Sequence, residues 1–178
     1  MKKLFLLIIS IALISCEGPA GPPGFDGINI LGNVFDVSVD FTPNNGYSSI
    51  IAFPNNIEVF ESDVVMVYLL EEQLSDPTGP IDVWSPLPQT FFLNDGTQVV
   101  YNFNHTFLDV SLFLDGNVNL DSLGIGFTNN QIFRIAILPA DFAEQFGVNI
   151  ENYSEVIQVL ESQNPDFEVQ SCYLINNS

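Results

Sequence analysis

Four oxygen-bearing side chains stand at alternate positions in the stretch DGNVNLDS: Asp115, Asn117, Asn119 and Asp121. Calcium takes about six to eight oxygen ligands from carboxylates and carbonyls, so this stretch is the candidate cation loop. It lacks the register of an EF-hand, with no acid at the twelfth position and its glycine out of place. A hairpin turn rich in residues that tolerate left-handed backbone explains the same letters. The one histidine, His105, lies in YNFNHTFLDV. A serine–histidine–acid site would have to be built on it. No G-x-S-x-G elbow accompanies it, and a histidine in an alternating stretch is expected to be a surface or packing residue. Paired carboxylates could hydrolyse glycosides, but 22 acidic residues make some pair inevitable, so none is assigned. Glu71 and Glu72 are expected to be solvated at a strand end. With no phosphate loop and no lysine beyond Lys3, phosphoryl transfer and lysine chemistry are disfavoured. No catalytic residue is assigned, and the chain is expected not to be an enzyme.

The N-terminus carries a more specific pattern. Lys2 and Lys3 precede an apolar run, Leu4 to Leu13, that is too short for a membrane span, which needs about 20 residues. Leu13-Ile14-Ser15-Cys16 then reads as a lipobox, with Cys16 the residue acylated as residues 1–15 are removed. Each acyl CH₂ buried in the membrane contributes about 0.8 kcal/mol, so several chains on Cys16 anchor firmly. Behind it, CEGPAGPPGFDG places Gly18, Gly21, Gly24 and Gly27 three residues apart. Collagen needs this spacing because only glycine fits the axis of three chains. So few triplets cannot offset the entropy of bringing three chains together, so residues 16–27 are expected to be a stiff, extended tether.

Once the signal is removed, Arg134 is the one cation against 22 acids, a net −21. Such a surface repels nucleic acid and anionic headgroups and favours cations or basic proteins. Arg134 itself either neutralises acidic neighbours or binds an anion, and the first is expected. With Cys16 lipidated, Cys172 has no partner in the chain, so no internal disulfide is expected. Its setting, FEVQSCYLI, predicts a thiol at least half-buried in a strand. One such cysteine and one histidine make no zinc set.

These residues must be positioned by strands. In VFDVSVDF, Phe35, Val37, Val39 and Phe41 alternate with polar residues, predicting one buried and one wet face. PNNG, NDG at 94–96 and DGN at 115–117 are turns. DVVMVYLL predicts a strand covered on both faces. Pro86 and Pro88 predict an edge or a break. QVVYNFNHTFLDVSLFL predicts a long strand whose phase shifts near Thr106, as a bulge would produce. After QIFRIAIL come two short helices. The first runs from Pro139 to Gly147; the second is capped by Asn152 with Glu155 and carries Tyr153, Val156, Ile157 and Leu160 on one face. A last strand covers residues 167–175. The fold expected is mainly β: residues 28–178 as a single antiparallel β-sandwich, with two C-terminal helices at an end or edge, behind signal and tether.

The lipobox, the triplets, VFDVSVDF, VFESDVVMVYLLEE, WSPLPQTFFLNDG, NFNHTFLDVSLFLDG and FRIAILPADFA together resemble a family of small Gram-negative lipoproteins labelled collagen-like. The resemblance runs to about Phe142 and brings no activity and no site residue with it. The expectation is a non-enzymatic protein held by its lipid, at the outer membrane, with a sandwich that binds a protein or glycan partner or has a structural role. The alternative is a calcium-dependent adhesion or glycan-binding module using Asp115, Asn117, Asn119 and Asp121, with calcium the one possible cofactor.

Overall fold

Phe35, Val37, Val39 and Phe41 all point into the core, none more than 2% exposed, because a pleated strand sends alternate side chains to opposite faces. The structure, a computed structural model, describes residues 32–174. Its strands are β1 (Asn33–Val39), β2 (Ser48–Ala52), β3 (Val64–Leu74), β4 (Ile81–Pro86), β5 (Gln89–Phe92), β6 (Gln98–His105), β7 (Asp109–Gly116), β8 (Gln131–Leu138) and β9 (Gln170–Leu174). Helix α1 (Ile125–Thr128) precedes β8; α2 (Phe142–Phe146) and α3 (Tyr153–Gln163) follow it. The fold is mainly β, a sandwich of two sheets with few, short helices. One sheet has the order β4-β3-β8-β1-β9 and the other β2-β7-β6-β5. The pairings are antiparallel except that of β9, which runs parallel to β1. The signal, Cys16 and the triplets fall outside the described residues. So does the side chain of Cys172, whose backbone lies in β9.

The inner core is filled from both sheets, by Val67, Phe133 and Ile135 on one side and Val99, Val110 and Leu112 on the other, all fully buried. Phe41, Tyr101 and Phe133 meet there with ring centroids 6.0 to 6.1 Å apart. Their tilted and edge-on contacts add to the burial energy. Tyr101 spends its hydroxyl on Phe127 O at 2.8 Å, so the ring is buried without an orphaned donor.

Three expectations change. The outer face of β1 is not wet: a second apolar cluster of Val34, Tyr68, Ala136 and Leu138 packs against Phe142, Val156 and Leu160. The helices therefore cover a face of the first sheet and do not sit at an end or edge. The signal is the apolar run Ile135–Leu138 of β8, both of whose faces must be covered. The expected bulge near Thr106 is a full hairpin turn between β6 and β7. Thr106 N donates to Asp109 O at 2.9 Å and Thr106 Oγ1 to Asp109 Oδ1 at 2.8 Å, so a threonine closes a turn that has neither glycine nor proline. The two prolines do both things expected of them. β4 and β5 are edge strands of different sheets, and the chain crosses between them at the cis Leu87–Pro88 bond. The N-terminal end of α3 differs only in detail. Asn152 Oδ1 accepts from Glu155 N at 3.4 Å, while the Glu155 carboxylate takes Asn152 Nδ2 and Asn149 N instead of the Asn152 backbone.

Candidate functional site

Arg134 lies on the outer face of β8, opposite Asp36 in the β1–β8 register. Its Nε and Nη2 donate to the two Asp36 oxygens at 2.7 and 2.8 Å, a bidentate pair. Both side chains are largely buried, at 13% and 17% exposure. The guanidinium carbon lies 4.1 Å from the Trp84 ring centroid and 5.5 Å from that of Tyr153, whose hydroxyl accepts from Nη1. Burial works against the charge, but the Asp36 hydrogen bond and negative charge outweigh it and raise the Arg134 pKa. Beside it, burial pushes Tyr68 and Tyr153 up. Tyr68 donates to Ile150 O at 2.7 Å, in the segment leading to α3. The one cation of the described residues thus fastens the helical layer to the sheet and is not open to an anionic ligand. Among the described residues no buried side-chain polar atom lacks a partner.

The candidate cation loop leaves the opposite end of β7. Each of its four side chains holds a protein donor. Asp115 Oδ1 accepts from Gly116 N at 2.7 Å, Asn117 Oδ1 from Gln98 N at 2.6 Å, Asn119 Oδ1 from Asp121 N at 3.2 Å and Asp121 Oδ1 from the Tyr47 hydroxyl at 2.6 Å. Asn117 closes the β6–β7 ladder and Asn119 caps a single 3₁₀ turn over Leu120–Ser122, while Asp121 takes the loop across to Tyr47. The four lie on one loop, each bonded to a different donor. Among the described residues no three of His, Cys, Asp and Glu form a group that could hold a metal. The Asp121 hydrogen bond, with burial and the carboxylate charge, pushes the Tyr47 phenol up to about 12.

His105 ends β6 at the surface. Its ring stacks on Phe103 with centroids 6.4 Å apart, and Nδ1 lies 3.4 Å from Thr106 O. It borders a recess of about 220 Å³ with Val59, Phe60, Glu61, Asp63, Val65, Thr106 and Phe107. The recess lies between the loop that leads into β3 and the β6–β7 turn. Phe60 and Phe107, which line it, are 57% and 47% exposed, and Leu108, next to Phe107 in the turn, is 62% exposed. Nothing in the sequence reading singled them out. Their signal is that FESD and HTFLD put Phe60, Phe107 and Leu108 into turns, where the core does not take them in. A larger cavity, about 500 Å³, opens beside β1 and β2 over Phe35, Val37 and Ile51, with Asn55 and Asn56 at its rim. Its floor of Phe35, Val37 and Ile51 is at most 3% exposed and belongs to the core.

Fold and surface together define the class as an acidic β-sandwich with one face under helices and apolar residues displayed on loops. Compared with protein-family models, curated proteins and solved structures, the chain matches none.

Proposed function

We propose that this chain is a non-enzymatic, lipid-anchored protein of the cell envelope, held at the outer membrane through an acylated Cys16, with a sandwich that binds a protein partner. The anchor half rests on the lysines, the apolar run and Leu13-Ile14-Ser15-Cys16, and the triplets behind them act as the tether. One observation carries the binding half: Phe60 and Phe107 stand exposed at a single recess, with Leu108 exposed next to Phe107 in the same turn, on loops at one end of the sandwich. Loops placed in this way are where binding concentrates. The non-enzymatic reading is supported by how the candidate groups are used: Arg134 bonds Asp36 and Tyr153, and Tyr47 bonds Asp121, each set holding elements together.

Expression of the full chain in a Gram-negative host tests the anchor. The protein is expected in the outer-membrane fraction with an acyl-modified mass, and Cys16→Ser is expected to abolish that mass and release the protein or stall its processing. An unmodified Cys16 in a membrane-free protein would sink the anchored reading.

A further inference from the structure

We propose that the sandwich end built from residues 59–63 and 105–108 docks a cationic amphipathic protein segment, one that carries lysine or arginine beside apolar side chains. The inference rests on the binding reading above and adds the chemistry of the partner.

Both turns are held rigid by their own polar groups. Asp63 Oδ2 accepts from Phe60 N at 3.0 Å, fixing the loop that displays Phe60. Thr106 Oγ1 accepts from Leu108 N at 3.0 Å and donates to Asp109 Oδ1 at 2.8 Å, fixing the turn that displays Phe107 and Leu108. Apolar side chains on pre-ordered turns lose less entropy on binding than the same residues on a loose loop. Aromatic anchors are what interface centres are enriched in.

The surrounding charge selects the occupant. Glu61 and Asp63 line the recess itself, and Glu58 stands exposed on the same loop. Among the described residues the one lysine or arginine is Arg134, which is already buried against Asp36. A second copy of this chain therefore brings the same negative surface to the contact and is repelled, as are nucleic acid and anionic headgroups. A segment with apolar residues for Phe60, Phe107 and Leu108 and cations for Glu61 and its neighbours satisfies both halves of the surface. β1 begins at this same end, where Asn33 pairs with Ile137 and Val64 with Leu138.

The test uses the mature lipoprotein in zwitterionic nanodiscs, with empty discs as the blank, and a fluorescein-labelled 14-residue peptide of alternating lysine and leucine blocks. Binding by anisotropy above the blank is expected, and it should weaken as salt rises. Phe60→Ser with Leu108→Ser is expected to weaken it at least tenfold, and the surface change Glu61→Lys by about three- to tenfold. Leu74→Ser with Ile81→Ser changes exposed apolar residues at the far end of β3, roughly 33 Å away, and is expected to leave binding unchanged. Equal loss in both double variants, or no binding above the blank, would overturn the proposal. A glutamate–leucine peptide binding better than the lysine one would overturn the cationic chemistry while leaving a binding surface at this end. Quenching of Phe107→Trp by brominated lipids, beyond that of Trp84 alone, would put the bilayer there instead.

Discussion

Asp36→Ala tests whether Arg134 is a structural fastener. The pair is bidentate at 2.7 and 2.8 Å and largely buried, at 13% and 17% exposure. Removing one partner of a buried ion pair costs about 3–5 kcal/mol, because the other charge is left uncompensated. Here the remaining exposure and the Tyr153 hydroxyl keep some compensation, which puts the expectation at about 3 kcal/mol. For a domain of this size a urea slope near 2 kcal/mol per molar turns that into a midpoint lower by about 1.5 M. Arg134→Met strands Asp36 in the same way and is expected to cost about as much. The double variant leaves neither charge buried and loses mainly the stacking on Trp84 and Tyr153, about 1–2 kcal/mol. The double variant should therefore cost far less than the two single variants together. Trp84 is the only tryptophan and lies over the guanidinium, so its fluorescence reports both the unfolding midpoint and the loss of the cation. Costs that add within about 0.5 kcal/mol, or a single Asp36→Ala cost below about 1 kcal/mol as for an exposed pair, would refute the reasoning.

Gly116→Ala should destabilise by more than about 3 kcal/mol, since its φ is +139° and a Cβ there would lie 2.2 Å from Gln98 O. Gly46→Ala, at φ +62° with open space around it, should cost about 1 kcal/mol; equal urea midpoints for the two would contradict this. Tyr47 is raised above its ordinary 10.0, so its bond to Asp121 contributes fully below that pH and is lost as pH rises through about 12. Burial raises Tyr68, Tyr101 and Tyr153 as well, so alkaline titration of phenolate absorbance should show several late phenols, of which Asp121→Asn moves one back toward the ordinary range; an unchanged curve would refute the assignment. Calcium at about 1 mM should leave the melting midpoint unchanged, because Asp115, Asn117, Asn119 and Asp121 already hold protein donors. A micromolar site would instead add about 4 kcal/mol, and a shift of that size would restore the loop as a cation site.

The strands and their inward faces were legible because alternation is a local property. Phe35, Val37, Val39 and Phe41 are the buried face that their spacing predicts, and Val156 and Leu160 are the buried face of α3. Turns with glycine or proline were legible too, since Gly46, Gly96 and Gly147 take left-handed backbone that other residues resist. The turn at Thr106–Leu108 was not, because its closing hydrogen bonds come from a threonine and an aspartate rather than from a backbone preference. The candidate site was less legible still. An exposed phenylalanine and a core phenylalanine are the same letter, and only assembly decides which of them finds neighbours.

The sequence by itself determined the mainly β sandwich, its periodic core, its extreme acidity and the N-terminal lysines, apolar run and cysteine, all of which are properties of composition and short-range order. The tertiary structure alone decided that Asp36 meets Arg134 across 98 residues, that the helices cover a face, that β9 adds a parallel edge, and that Phe60 and Phe107 line one recess. Each of these depends on which strands lie side by side and in which register, and strand pairing between distant segments is settled by the burial of whole faces at once.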